Sequence, residues 1–443
     1  MIKLLITLFF ILLPTILLLI SPLYFISYIL FSGGISTKIF LGTNTEINIF
    51  GSLSINALII LIQGSILWLL VAFNIRKLTT IFYILIPNLF FLTYCILTTF
   101  WSPNWIYALR MIAKLAIPFL MFLAVYVVIK TDKDFKLVEK SIILGSSLIL
   151  LIALINNLFD LDHSKWVLKN ILTSPFSSPA PFSFNLGAGA LFSLYMYFKY
   201  RNNYYLFLNI IFGLGIIWAF TRISMVAYIL SSSILLFFSL RSTLLKIFLP
   251  LLMLTSFVVF ILFNATYNVR FFGKKTSFDY EDVFYYKNIE KKISSIPTSG
   301  RKELWKLAIK KFLKKNPIQG AGIGATQNWF YEKNKKKSGA VLHSEYLRII
   351  CETGIIGLTL FLFMLLFYII WLLFLIIKKS DAKENAILAL SLLLFYMITM
   401  LTDNSLDYIS QIGNYVFTAI ALTSAKLKLR DSKQGFLKKQ IVY

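Results

Sequence analysis

Long runs of apolar residues recur along almost the whole chain, and they constrain the fold more than any other feature of the sequence. The hydrocarbon core of a bilayer is about 30 Å thick, so a helix needs about 20 mostly apolar residues to cross it. Hydrophobic residues make up 58% of the 443 residues and charged residues only 14%, whereas about a quarter of a soluble domain is charged. The sequence therefore predicts an all-α polytopic membrane protein and excludes a chain dissolved chiefly in water.

The apolar runs predict about twelve transmembrane helices, with one large loop between the ninth and the tenth. The first run is expected to stay as a helix, because it has no small-residue cleavage site of a signal peptide. Residues 1–263 then hold helices 1–9, residues 264–345 form the loop, and residues 346–443 hold helices 10–12 and a basic tail. The runs lie near residues 4–31, 50–73, 79–100, 108–129, 139–158, 182–198, 203–220, 222–239, 244–263, 346–377, 384–402 and 410–425.

The basic residues indicate which ends of the helices face the cytoplasm. Short cytoplasmic loops of membrane proteins are enriched in Lys and Arg, and this pattern appears when both termini are placed inside. The same parity places residues 264–345 outside, although they hold seventeen Lys and Arg against seven Asp and Glu. Long loops are exempt from the rule, so a net charge of about +10 is left over. It suggests anionic partners, either membrane lipids or a phosphate-bearing substrate, although solvation of the loop is an equal alternative.

Within this large loop the sequence predicts an amphipathic helix followed by a glycine-rich turn. Residues 303–315 place their apolar side chains along one stripe, which is typical of a helix lying on a membrane face. Gly320, Gly322 and Gly324 follow a helix rather than a strand, so we interpret them as turn glycines and not as a nucleotide site. No metal-ligand spacing is evident and no cofactor or nucleic acid is expected, although Asp403 and Asp407 in one short loop leave a cation site open.

Three residues on the predicted outer side can carry chemistry: Arg222, Arg301 and His343. An arginine between two apolar stretches, as Arg222 is, costs free energy near lipid and is a functional candidate, unless its charge extends to the interface. Arg301 directly precedes the amphipathic helix. His343 stands at the outer mouth of a predicted helix, where a neutral imidazole can take a proton from a hydroxyl. A hydrogen-bonded interface histidine is the alternative.

The order and spacing of motifs in residues 299–357 resemble the hallmark loop of the O-antigen ligase and O-antigen polymerase superfamily. Weaker similarities lie in Thr221-Arg222 and in the segments 100–103 and 182–188. Two positions depart from the family pattern, since Thr221 stands where Ser is usual and Ser344 where Asn often follows the histidine. The motifs are Ser299-Gly300-Arg301 with Trp305, Pro317-x-x-Gly320-x-Gly322, His343 before the next helix, and Glu352-x-Gly354-x-x-Gly357.

The resemblance implies a metal-independent glycosyltransferase at the periplasmic face of the bacterial inner membrane. Its donor would be an undecaprenyl-diphosphate-linked glycan, and its acceptor a hydroxyl of lipid A-core or of another glycan. Arg222 and Arg301 would bind the diphosphate and stabilise the charge that develops as it leaves. His343 would be the general base. The resemblance assigns Glu352, Gly354 and Gly357 structural roles.

Arg110, Arg270 and Lys302 are weaker candidates for substrate binding, because anchoring at the interface explains them equally well. The exact reaction also stays open. A ligase would transfer finished polymer to lipid A-core, and a polymerase would join lipid-linked repeat units; analogy favours the ligase. A transporter of lipid-linked oligosaccharide would also have about twelve helices, but it should carry charged or broken helices at the midplane.

Overall fold

The computed structural model describes residues 12–33, 55–159, 171–172, 176, 178–263, 301–333 and 342–441. All regular secondary structure within these ranges is helical, which confirms the predicted fold class at this level. The helices before the large loop are α1 (Pro22–Ser32), α2 (Ile55–Ala72), α3 (Phe82–Leu97), α4 (Trp105–Val128), α5 (Asp132–Leu158), α6 (Pro179–Tyr200), α7 (Asn203–Trp218), α8 (Arg222–Ser239) and α9 (Thr243–Phe263).

The large loop and the C-terminal part contribute α10 (Arg301–Ala308), α11 (Ala325–Lys333), α12 (Glu345–Ile377), α13 (Lys383–Thr399) and α14 (Asn414–Ile441). Five of the described helical stretches are long and apolar enough to cross a membrane. They are Ile75–Trp101, which contains α3, and α4, α5, α8 and α12. Shorter apolar helices occupy Pro22–Ser32, Ile59–Ala72, Asn203–Trp218 and Thr243–Val259.

Two helix starts differ from the sequence prediction, and both differences have a capping residue as their cause. Within the first apolar run, residues 12–20 are helical, but Ser21 leaves the helix and its hydroxyl accepts from Leu23 N to start α1. The helix expected from residue 139 begins at Asp132 instead. Thr131 and Asp134 form a capping box there, which supports a polar first turn that hydropathy alone does not detect.

The central helix is α6, which is buried from Ala180 to Met196. Between apolar helices in a membrane, packing and side-chain hydrogen bonds hold the bundle together. The α6 residues show both: Gly187 lies directly under the ring of Phe395, and Asn185 Nδ2 donates to Tyr415 Oη over 2.9 Å. These contacts join α6 to α13 and α14.

Long-range hydrogen bonds define two ends of the bundle. At one, which we call the site end, the C-terminus of α1 meets the segment before α14, since Gln411 Nε2 donates to Gly33 O. The starts of α6 and α8 also meet there, through Ser183 and Ser224, whose hydroxyl oxygens are 2.7 Å apart. The other end, which we call the lysine end, carries the loops that the sequence places inside. Lys428 Nζ, for example, donates to Tyr126 O and Ile129 O at the end of α4.

The amphipathic segment packs against protein and not only against a membrane face. It forms α10 and then a π-helical turn, Ile309–Leu313. Ala308 and Phe312 from its apolar stripe are buried in a small cluster with Trp329, Phe330 and other apolar side chains. Protein therefore covers Ala308 and Phe312 of this stripe, while contact of the helix with a membrane stays a prediction. Residues after Gly324 fold back as α11 and cover the stripe, which periodicity within one helix could not indicate.

Candidate functional site

The foundation of the site end is an interlock between a loop and a broken helix. The loop, Pro317–Gly324, is called the glycine loop here. Gly320, Gly322 and Gly324 all have positive φ, between 74° and 90°, a conformation that glycine adopts without steric cost. These three glycines are therefore turn residues, as predicted. Because they have no Cβ, Gly320 can approach Glu352 and Gly354 of α12 closely, Gly322 can approach Ser102, and Gly324 can approach the backbone of α4 at Tyr107.

Helix α12 opens at Gly354, which has φ 68° and ψ −168°, to receive the glycine loop. The freed backbone groups pair with the loop: Gly322 N–H donates to Glu352 O over 2.8 Å, and Ile355 N–H donates to Pro317 O over 2.9 Å. Irregular backbone at membrane depth is tolerated where protein satisfies its polar groups. The break is thus fully accounted for by the loop.

Glu352 completes the interlock with its side chain. The carboxylate accepts from Gly324 N over 2.9 Å and from Thr326 N over 3.2 Å, and also from the Thr326 hydroxyl. Only 2% of Glu352 is exposed, so these bonds replace its solvation. Glu352 and Gly354 have the structural roles that the motif resemblance implies.

His343 lies between the large loop and α12 in a strained backbone conformation. Its φ is 53°, a left-handed value that is uncommon for a residue with a side chain. Asn404 holds it there, because the Oδ1 atom of Asn404 accepts the His343 backbone N–H over 3.0 Å. Strain of this kind persists where the surrounding structure determines it, and it concentrates at functional sites.

The imidazole of His343 points one nitrogen at polar partners and leaves the other for a substrate. Nδ1 lies 3.8 Å from Asp403 Oδ1 and 3.4 Å from Asn404 Nδ2. The side chain is 27% exposed. With its proton on Nδ1, facing Asp403, the ring carries a lone pair on Nε2; when Nδ1 instead accepts from Asn404 Nδ2, the proton lies on Nε2. In the first tautomer Nε2 can accept a proton from a hydroxyl.

Arg301 meets the same short segment from the other side. Its Nη1 donates to Thr402 O, the residue before Asp403. Burial lowers the pKa of the Arg301 guanidinium, and the negative charge of the nearby Asp403 opposes this effect. An arginine stays protonated under such conditions. The structure therefore brings Arg301 and His343 together on residues 402–404.

Arg222 lies at the same end of the bundle as these two residues. It is the first residue of α8 and is half-buried. The neighbouring Ser224 bonds Ser183 near the start of α6, and α6 packs against α13, whose end leads into residues 402–404. Arg222 thus belongs to the site end, as the sequence analysis expects.

The three weaker candidates differ in how the structure places them. The guanidinium of Arg110 lies over the ring of Tyr107, 5.4 Å from its centroid, on the first turns of α4. Lys302 is exposed on α10, one residue after Arg301. Arg270 lies outside the described residues. Arg110 and Lys302 therefore flank the site rather than join its centre.

Sequence reasoning missed a set of buried charges directly beneath the site. Asp407 pairs with Lys114 of α4, with 2.6 Å between Nζ and Oδ1, and with Nη1 of Arg348 over 3.0 Å. The suggested cation site at Asp403 and Asp407 is occupied by protein cations in its Asp407 half. The available signal was the polar stretch 402–407 between two apolar helices, but its partners are far away in sequence.

The arrangement is chemically suited to moving a group away from an anionic carrier. It brings the imidazole of His343 and the guanidinium of Arg301 onto residues 402–404, and Arg222 lies at the same end of the bundle. Guanidinium groups bind phosphate oxygens with two parallel hydrogen bonds.

Comparison with known protein families identifies the central part of the chain. Residues 207–362 match the family model described as O-antigen ligase. The matched region runs from α7 into α12 and includes Arg222, Arg301, His343 and Glu352. No curated protein matches the chain. Residues 207–362 of this membrane protein are thus similar to the O-antigen ligase family.

Proposed function

We propose that this protein is an O-antigen ligase, which transfers a glycan from undecaprenyl diphosphate to a sugar hydroxyl of lipid A-core. The observation that carries the proposal is the convergence of Arg301 and His343 on residues 402–404. Both residues belong to the stretch that matches the O-antigen ligase family. A proton acceptor and a phosphate-binding group on one support are what such a transfer requires.

The reaction breaks one glycosidic bond and forms another. The acceptor oxygen attacks the anomeric carbon of the donor, and His343 Nε2 takes the hydroxyl proton. The bond between that carbon and the carrier phosphate breaks, and undecaprenyl diphosphate leaves with its electron pair. Arg301 and Arg222 stabilise the developing negative charge, a contribution of about 10²- to 10³-fold for one well-placed donor. We propose that no metal takes part.

We further propose twelve spans in the bacterial inner membrane, with both termini in the cytoplasm and the site end facing the periplasm. The lysine end supports this orientation, because it carries the exposed short-loop cations that the positive-inside rule places in the cytoplasm. Arg76, Lys133, Lys378 and Lys379 are examples, and all are exposed.

Single cysteines test this orientation. Lys306→Cys introduces a thiol on exposed α10, and Lys133→Cys introduces one on the exposed first turn of α5. The native Cys95 and Cys351 are buried and give little background. In spheroplasts, a membrane-impermeant maleimide is expected to label the first variant at once and the second only after permeabilisation. The reverse pattern would invert the topology.

The function is tested by the surface glycans and lipid-linked intermediates of cells that lack the protein. Long polymer left on undecaprenyl diphosphate is the expected result for a ligase. Single unpolymerised units would instead show an O-antigen polymerase, which the family also contains. A glycan trapped on the cytoplasmic side would indicate transport of lipid-linked oligosaccharide.

The His343→Ala variant tests the site in the same cells. Cells that lack the native protein and carry this variant are expected to show the same glycan profile as cells without any copy. Transfer by the purified variant should fall about 10²- to 10⁴-fold, because the change removes the general base. The matched control is His163→Ala, the change of the other histidine, which should restore the wild-type profile. If the His343→Ala protein restored the wild-type glycan profile as well as the His163→Ala protein, His343 would not be the general base.

A further inference from the structure

One short segment contacts two of the three candidate catalytic residues, Arg301 and His343. This segment, Thr402–Asp407, is called the anchor segment here. It accepts the Arg301 guanidinium at Thr402 O and the His343 backbone N–H at Asn404 Oδ1. Its Asp403 faces the imidazole. Any shift of the anchor segment therefore moves the two groups relative to the substrate.

The far end of the anchor segment is held by a group of four charged side chains, one of which is the segment's own Asp407. Asp407 is bound by Lys114 and Arg348, as described above. Arg348 Nη2 lies 2.6 Å from Glu345 Oε2, and Glu345 Oε1 accepts the backbone N–H of Leu406 over 2.9 Å. We call Lys114, Glu345, Arg348 and Asp407 the ion quartet. It joins α4 and α12 to the anchor segment.

The ion quartet is a costly way to pack a bundle. The side chains of Glu345, Arg348 and Asp407 are 0%, 7% and 18% exposed, and removing such charges from water costs several kcal/mol per ion. Apolar residues of similar volume would pack as tightly, and ionisable residues among membrane helices mark functional sites by default. Burial alone would raise the pKa of Asp407, but the charges of Arg348 and Lys114 hold that pKa below its ordinary value. Asp407 is thus an anion held between two cations.

We propose that the ion quartet is a positioning device, which fixes the anchor segment so that Arg301 and His343 act on one substrate. The inference rests on the proposed transfer reaction and adds four positioning residues to it. Lys114 and Asp407 lie outside residues 207–362, so the family match does not assign them. The quartet members act through the anchor segment and not on the substrate.

Two single variants and their combination separate positioning from stability. Asp407→Asn and Lys114→Met each remove one partner of the Lys114–Asp407 pair and leave the other without it, so each is expected to lower the thermal unfolding temperature and the transfer rate. The double variant removes one positive and one negative charge and leaves the Arg348–Glu345 pair. We expect it to recover the unfolding temperature while kcat stays at least about 10-fold below wild type, because the anchor segment has lost its ion pairs.

The matched control is the other buried ion pair, Lys199 and Glu139 at the lysine end. Its Nζ–Oε1 distance is also 2.6 Å, and Glu139 is fully buried. Glu139→Gln is expected to lower the unfolding temperature while the folded protein keeps its wild-type kcat. A fall in kcat equal to that of Asp407→Asn would reduce both effects to a general loss of packing and overturn the inference.

The assay uses full-length protein in lipid nanodiscs, with an undecaprenyl-diphosphate-linked glycan as donor and lipid A-core as acceptor. A wild-type kcat for the double variant, or for Asp407→Asn alone, would overturn the positioning role while the proposed function stands. Failure of the proposed function looks different: the wild-type protein transfers no glycan, or His343→Ala transfers it at the wild-type rate.

Discussion

The two ends of the bundle use cations in different ways. At the lysine end, cations such as Lys77, Lys130 and Arg241 are exposed, and Lys428 donates to backbone carbonyls at the end of α4. Cations are stabilised at helix C-termini by the helix dipole. At the site end, Lys114 and Arg348 are instead bound to carboxylates within the protein.

The backbone shows the same contrast. At the lysine end, positive φ values fall at helix ends, at Arg201 after α6 and at Lys379 after α12. At the site end they fall at Phe220 after α7, but also in the glycine loop, at His343 and at Gly354, which lies within α12. The exposed cations at the lysine end can therefore be explained by topology and helix capping, and Lys199, paired with buried Glu139, is the exception named above. The cations at the site end require a further role, which is to position the residues of a reaction site and to supply its positive charge.

The test with the largest expected effect on this comparison replaces one arginine at each end of the bundle by alanine. Arg301→Ala removes a guanidinium from the proposed diphosphate site, and turnover by purified protein is expected to fall about 10²- to 10³-fold, or about 3–4 kcal/mol. Arg301→Lys keeps the charge but loses the planar fork, so it should recover only part of the rate. Arg241→Ala at the lysine end should leave turnover unchanged. Equal losses from both arginines would contradict a functional difference between the ends.

The second test breaks the backbone interlock at the site end. A Cβ at Gly354 would overlap the Ile318 carbonyl, and its φ of 68° with ψ −168° suits only glycine. Gly354→Ala is expected to cost about 2–3 kcal/mol of stability, measured as a lower unfolding temperature in detergent. The control is Gly213→Ala in α7, where the new Cβ would meet only the ring of Tyr228 at 3.4 Å. An equally stable Gly354→Ala protein would show that the glycine loop does not depend on this break.

The helices and the motif residues could be predicted from sequence because both signals are local. Apolar runs gave the helix positions, and the spacing in residues 299–357 brought Arg301, His343 and Glu352 into one motif. The break at Gly354 escaped prediction, since the apolar run from 346 to 377 continues through it. The interlock is visible only once the glycine loop lies against α12.

The ion quartet could not be predicted for a related reason. Lys114 and Asp407 are 293 residues apart, and no periodicity within one helix connects them. In the sequence, Lys114 is one cation in an apolar run and Asp407 one acid in a short loop. Asn404 is similarly inconspicuous, although it holds the strained backbone of His343. Their importance depends on long-range packing, so it emerges from the fold alone.

The smallest expected effect comes from an ion pair at the lysine end. Lys426 Nζ lies 2.7 Å from Asp132 Oδ1, as close as the pairs of the ion quartet, but the two side chains are 33% and 63% exposed. An exposed pair contributes at most about 1 kcal/mol, because water and salt screen it. Lys426→Met should therefore change the unfolding temperature little and turnover not at all, and added salt should remove even the small difference. A loss comparable to that of Lys114→Met would mean that distance alone governs the strength of these pairs. The expected contrast would instead attribute the difference between the two ends to burial, since the distances are nearly equal.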